Sequence, residues 1–269
     1  MTSRRQFLKI LPCSFLLTAC KPLVFDTKKV VKYELAANKS TFNFNEKFKA
    51  NLFLYNNENP GPLLKANFGD ILKIDFTNNL DEPTSIHWHG IKNINKMDGV
   101  PYLTQDPVQP GKTFSYEFPV NQSGTYWYHA HFESWKQVAK GLYGPLVVKD
   151  ETDDLIEDDI VILADDWRLN KKYKIDEKSF GSLMDWSHAG RVGNWLTING
   201  EKSPQYSIKA NSRARLRFIN ASNARILKFG SSLKNNNIIA IDGVAVKPML
   251  VKNFTLAPGQ RIDLLINTV

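Results

Sequence analysis

The 269 residues suffice for one large domain or two ordinary ones, taking roughly 150 residues per domain. Hydrophobic residues make up 42% and charged residues 23%, which excludes intrinsic disorder and the collagen-like and coiled-coil classes. The net charge of +8 comes from scattered lysines rather than a basic stripe, so no nucleic-acid-binding face is expected. Sixteen Phe, nine Tyr and thirteen Pro favour an all-β protein. Cys13 and Cys20 are the only cysteines, leaving no thiol beyond residue 20 for a disulfide, a zinc cluster or a nucleophile.

The chain opens with Ser3-Arg4-Arg5-Gln6-Phe7-Leu8-Lys9 ahead of an apolar run, Ile10 to Ala19. That run is far shorter than the ~20 residues a membrane-spanning helix needs. It resembles a twin-arginine export signal, and Leu17-Thr18-Ala19-Cys20 resembles a bacterial lipobox. Residues 1–20 are therefore expected to be a signal peptide for export to the periplasm, with Cys20 lipidated as the first residue of the mature chain; the alternative is an ordinary small-residue cleavage site.

From residue 40 onward, apolar residues recur with a period of two, which predicts half-buried strands. Leu72, Ile74 and Phe76 alternate with Lys73, Asp75 and Thr77, and Phe114, Tyr116 and Phe118 with Ser115 and Glu117. Further on, Ala214, Leu216 and Phe218 alternate with Arg213, Arg215 and Arg217, and Ile262, Leu264 and Ile266 with Arg261, Asp263 and Leu265. Two offsets tie these runs into a repeat. Lys65-Ala66-Asn67 precedes Leu72 as Lys209-Ala210-Asn211 precedes Leu216, and Pro110-Gly111 precedes Phe114 as Pro258-Gly259 precedes Ile262. The spacing suits two copies of one antiparallel sandwich. We expect tandem Greek-key β-sandwich domains over residues 40–150 and 155–269. The acidic stretch Asp150-Glu151-Thr152-Asp153-Asp154 is expected to form a join crossed by few contacts.

Four of the five histidines form two His-x-His pairs, His87-Trp88-His89 and Tyr128-His129-Ala130-His131. Alternation along a strand points His87 and His89 one way, and His129 and His131 one way, so neighbouring strands would gather four imidazoles. Imidazole suits Zn, Cu, Fe and Ni, and the lack of thiolates or repeated carboxylates disfavours iron–sulfur, calcium and magnesium sites. His188 stands alone in a loop and reads as structural or solvated.

The sequence of Ser85-Ile86-His87-Trp88-His89-Gly90, Met97-Asp98-Gly99-Val100-Pro101, Gln105-Asp106-Pro107, Gly124-Thr125-Tyr126-Trp127-Tyr128-His129-Ala130-His131 and Gly141-Leu142-Tyr143-Gly144-Pro145 resembles the first cupredoxin domain of a multicopper oxidase. Thr197-Ile198-Asn199-Gly200, Phe218-Ile219-Asn220-Ala221 and Leu256-Ala257-Pro258-Gly259-Gln260-Arg261 are similar to the family's second domain, which carries no copper ligands of its own. Among bacterial members the nearest likeness is to periplasmic copper-resistance and laccase-like oxidases. The resemblance implies that His87 ligates a type 2 copper and that His89, His129 and His131 ligate a type 3 pair. Together they would be half of a trinuclear centre that reduces dioxygen to water with electrons from a small reductant, phenolic or a metal ion. Asp98 is the family-position partner for a ligand's second ring nitrogen, the alternative being a plain Asp-Gly turn residue. Trp88 and Trp127 are expected on the face opposite the histidines, as core.

The sequence also departs from the family pattern. The third cupredoxin domain, with the other trinuclear ligands and a Cys-centred blue copper site, does not occur within these residues, and blue sites depend on a Cys thiolate. The expectation is a multicopper oxidase that needs a missing or separate third domain and does not turn over alone. The competing readings are a non-catalytic periplasmic copper-binding protein and a copper-free interaction scaffold; the four retained histidines argue against the scaffold.

Overall fold

Strands begin at Val30, ten residues before the expected domain edge, because the sequence from Val30 already alternates inward and outward beside its neighbour. The computed structural model describes residues 29–45, 48–233 and 235–268; the expected export signal and Cys20 lie outside them. Eight strands build the first sandwich: β1 Val30–Asn43, β2 Lys49–Tyr55, β3 Leu64–Asn67, β4 Ile71–Asn78, β5 Ile86–His89, β6 Thr113–Pro119, β7 Gly124–Ala130 and β8 Tyr143–Lys149. They form two four-stranded sheets of order β2-β1-β4-β6 and β3-β8-β7-β5. The alternation read from the sequence puts Leu72, Ile74 and Phe76 of β4 inside with no exposure, against Tyr116 and Phe118 of β6 and Trp88 of β5. Each such side chain taken fully out of water contributes roughly 1.5–3 kcal/mol, so this core holds the two sheets together. A short helix, α1 Ser134–Gln137, follows β7.

A second set of strands comprises β9 Asp158–Trp167, β10 Trp195–Ile198, β11 Arg213–Asn220, β12 Leu227–Gly230, β13 Asn236–Ile241, β14 Val244–Leu250, β15 Asn253–Leu256 and β16 Arg261–Asn267. A second short helix, α2 Leu183–Ser187, lies between β9 and β10. Six of the strands form one sheet, β10-β9-β11-β16-β13-β14, and β12 pairs with β15. The repeat legible in the sequence reappears as topology. β4 pairs parallel with β1 and antiparallel with β6, and β11 pairs parallel with β9 and antiparallel with β16. The chain is thus all-β, with two sandwiches of like order.

Two expectations fail where the sandwiches meet. The acidic stretch does fall between β8 and β9, but contacts there are dense: Asp153 is buried and accepts from both Arg215 and Arg217 at 2.6 Å. The arginine face of β11 is not solvated either. Arg217 has no exposure and Arg215 little, because β11 is a central strand whose polar face is covered by the linker and by Thr125 of β7. Beside this polar seam runs an apolar one, in which Leu52, Trp127 and Tyr143 pack with Leu163, Trp167 and Ile219.

Candidate metal centre

β5 and β7 are antiparallel neighbours in the register His87↔His129, Trp88↔Tyr128 and His89↔Trp127. Directly opposed residues of adjacent strands share a face, so the pairing brings the two His-x-His motifs together. Ring centroids lie 5.4 Å apart for His87–His129, 5.3 Å for His87–His131 and 5.6 Å for His89–His129. One ring nitrogen each from His87, His89 and His129 falls within a single 4.8 Å cluster. His131, just past the end of β7, sits at its margin.

Neighbouring groups set the rings' tautomers. Nδ1–H of His87 donates to the main-chain carbonyl of Asp98 at 2.8 Å, since a carbonyl can only accept; this leaves Nε2 with its lone pair. The Asp98 carboxylate stands farther off, at 3.4 Å from the same nitrogen. The turn at Asp98 thus reaches His87 through its main-chain carbonyl, with the carboxylate beside it. Gly99 explains why the turn sits there: a Cβ on it would lie 1.7 Å from the carbonyl oxygen of Ile86, so only glycine lets this loop press against β5. Nδ1–H of His129 likewise donates to the carbonyl of Ala130 at 2.9 Å, and its Nε2 faces Nδ1 of His89 at 3.4 Å.

Burial keeps the rings of His89, His129 and His131 neutral. Desolvation, with the nearby charge of Arg261 and His87 adding to it, lowers His89 to about 4. Desolvation lowers His129 to about 3, overcoming its hydrogen bond to Ala130, and it also lowers His131. Metal ligation needs neutral imidazole, so the lone pairs are available far below neutral pH. The same shift carries a stability cost in acid. Unfolded His129 takes up a proton near its ordinary 6.5, whereas the buried ring does not until about 3, so below 6.5 the unfolded state binds more protons. Stability then falls as pH falls, by about 1.4 kcal/mol per pH unit for a fully buried ring. In urea melts of the metal-free chain, wild type should lose about 2 kcal/mol more than His129→Gln between pH 6.5 and 5. Equal losses would show that the ring is protonated in the folded protein.

Trp88 points away from the histidines into the first core, as expected. Trp127 does not. Residues 127 and 129 are two apart on β7 and share a face, and the Trp127 ring lies 4.4 Å from His129 and 4.9 Å from His89. It is buried, and it shields the inner side of the cluster from water. His188, exposed at the end of α2, contacts only local partners, the Met184 carbonyl among them at 3.1 Å, and takes no part. The cluster opens onto a hollow of about 510 Å³ that also takes in Trp135 of α1 and, from the second sandwich, Asn223, Pro258 and Gly259. Sequence reasoning missed these last contributors, though the Pro258-Gly259 turn was visible as a repeat of Pro110-Gly111.

Comparison with known proteins agrees with this architecture. Residues 36–153 and residues 158–269 match two family profiles, each described as multicopper oxidase. Laccase-1 of Cryptococcus neoformans var. neoformans serotype D is 32% identical over 246 residues, covering 82% of this chain and 39% of that protein. Laccase-1 of Thanatephorus cucumeris is 34% identical over 243 residues, covering 81% of this chain and 41% of its own length. Among solved structures, a multi-copper oxidase from Pseudomonas thermotolerans superposes with a TM-score of 0.83 at 33% identity, over 90% of this chain and 59% of that one. The chain thus spans about 40% of the length of these curated relatives. With a profile matched on each sandwich and four histidines gathered on one, the chain belongs to the multicopper oxidase family.

Proposed function

We propose that His87, His89, His129 and His131 are copper ligands, forming half of a trinuclear centre. The complete protein would oxidise a small reductant, a phenol or a metal ion, and reduce dioxygen to water. The observation that carries this reading is the convergence of imidazole nitrogens from His87, His89 and His129 within 4.8 Å, burial keeping the His89 and His129 rings neutral. The donor set fits: it is all imidazole, and cupric ion binds most tightly of the divalent first-row metals to such nitrogen sites. When bound, copper would supply the one-electron chemistry that couples a reductant to dioxygen. The chain's own residues hold and orient the donors. Asp98 spends the Nδ1 proton of His87 and Ala130 that of His129, so both present Nε2. Trp127 keeps water from the inner side.

Electron entry is a separate matter. No cysteine follows Cys20, so a blue copper site would need a thiolate from a third cupredoxin domain outside these residues, whether on the same polypeptide or another. Residues 21–269, loaded with cupric ion, should show nitrogen hyperfine structure in electron paramagnetic resonance, no intense blue absorption, and negligible oxygen consumption with a phenolic or cuprous donor. Robust turnover by this chain would overturn the division of labour. Equal copper binding by a variant with all four histidines replaced by Ala would overturn the ligand assignment.

A further inference from the structure

The wall of the hollow that faces His89 belongs to the second sandwich. Gly259, with φ +80°, lies so close that a Cβ on it would stand 3.1 Å from Cε1 and 3.3 Å from Nε2 of His89. Two residues on, Arg261 reaches across the seam. Its Nε donates to the carbonyl of Thr125 on β7 at 3.2 Å, Nη1 to the carbonyl of Gly259 at 3.0 Å, and Nη2 to the carbonyl of Asp242 at 3.0 Å. The same guanidinium fills the space over Gly90, the residue after His89, where a Cβ would lie 2.3 Å from Nη2. One buried side chain therefore touches the strand that carries His129, the turn that ends the strand of His89, and the loop pressed against the His89 ring. Its planar fork fixes these three directions at once, which a flexible ammonium cannot do.

We propose that Arg261 is a positioning residue for the metal centre, and that with Gly259 it sets the orientation of His89, making the ligand-free second sandwich a working part of a site whose donors among these residues lie on the first. The inference rests on His89 being a ligand. Ligating histidines depend on groups that orient the ring, and losing such a group typically weakens metal binding about ten- to a hundredfold. Nothing in the donor list alone would assign this task to residues more than a hundred positions away.

The test uses the full chain and two variants, Arg261→Lys, which keeps the buried charge, and Gly259→Ala, which leaves the guanidinium in place. Long-range nitrogen–proton spectra of the histidine rings are recorded without metal, and cupric ion is then titrated against a competing chelator. Both variants should shift the His89 ring signals, leave those of His188 unmoved, and bind cupric ion about ten- to a hundredfold more weakly. If His89 signals stay in place in the folded variants, the proposal is overturned. It is equally overturned if cupric affinity stays within about twofold of wild type while His89→Ala loses binding. Undiminished binding by His89→Ala would instead refute the ligand assignment, and the metal-free ring spectra would still decide whether Arg261 positions the ring.

Discussion

Replacing Arg217 by Met should destabilise the chain by about 3–5 kcal/mol, the cost of removing one partner from a buried ion network. Arg217 has no exposure and donates to Asp159 at 2.5 Å, to Asp153 at 2.6 Å and to the Thr125 hydroxyl at 3.1 Å. Arg215 completes the group by donating to Asp153 and Asp263, each at 2.6 Å, and Lys149 stands 3.5 Å from Asp159. Three cations thus face three carboxylates, and the network is close to neutral as built. Burial alone would push the Asp159 carboxyl up, but the Arg217 guanidinium holds it below the usual carboxylate range. Without Arg217, Asp159 loses its main compensation and Asp153 one of two equal partners, while both keep their desolvation cost. The members come from β7, β8, the linker and the second sandwich, so the loss should also loosen one sandwich from the other. Urea denaturation followed by tryptophan fluorescence would measure it. Thr125→Val, which removes one neutral hydrogen-bonding group, should cost only about 1–3 kcal/mol. An Arg217→Met loss below 1 kcal/mol would mean that water reaches the network and solvates the orphaned carboxylates.

The same network marks where sequence reading reached its limit. Alternation in Arg213-Ala214-Arg215-Leu216-Arg217-Phe218 correctly predicts that arginines and apolar residues occupy opposite faces of β11. It does not say what lies against the polar face. Arg213, near the strand's end, is exposed, whereas Arg217, four residues on, is fully buried because the linker and β7 cover it. Tertiary neighbours decide that, and they come from segments more than sixty residues away. The histidine cluster was more legible, since parity along two short strands is local information and the antiparallel register needed only that β5 and β7 be neighbours. Trp127 shows how narrow that information is. Parity puts it on the face of His129, opposite to the face expected of it. The orienting contacts of Asp98, Gly259 and Arg261 needed loops whose course no periodicity describes. Gly99 is legible only afterwards, as the one residue whose missing Cβ lets the loop sit on Ile86.

His129→Ala should all but abolish the stabilisation that cupric ion confers. Its Nε2 belongs to the 4.8 Å cluster, its Nδ1 is already committed to Ala130, and it lies between Trp127 and the other rings. No other side chain in the cluster can replace that donor without moving a strand. Loss of an orienting group typically costs ten- to a hundredfold in metal affinity, so loss of a donor should cost at least about a hundredfold. At a cupric concentration one hundred times the dissociation constant, binding stabilises the wild-type fold by about 2.7 kcal/mol. For a chain of this size that raises the melting temperature by about 5–10 °C. At the same concentration a hundredfold weaker variant gains only about 0.4 kcal/mol, or about 1–2 °C. Comparing each protein with its own metal-free form separates the donor effect from any cavity left by the missing ring. His188→Ala, altering an exposed ring outside the cluster, should keep the full shift. An equal shift in His129→Ala and wild type would mean that copper binds elsewhere, and a shift lost in His188→Ala would locate that site at the end of α2.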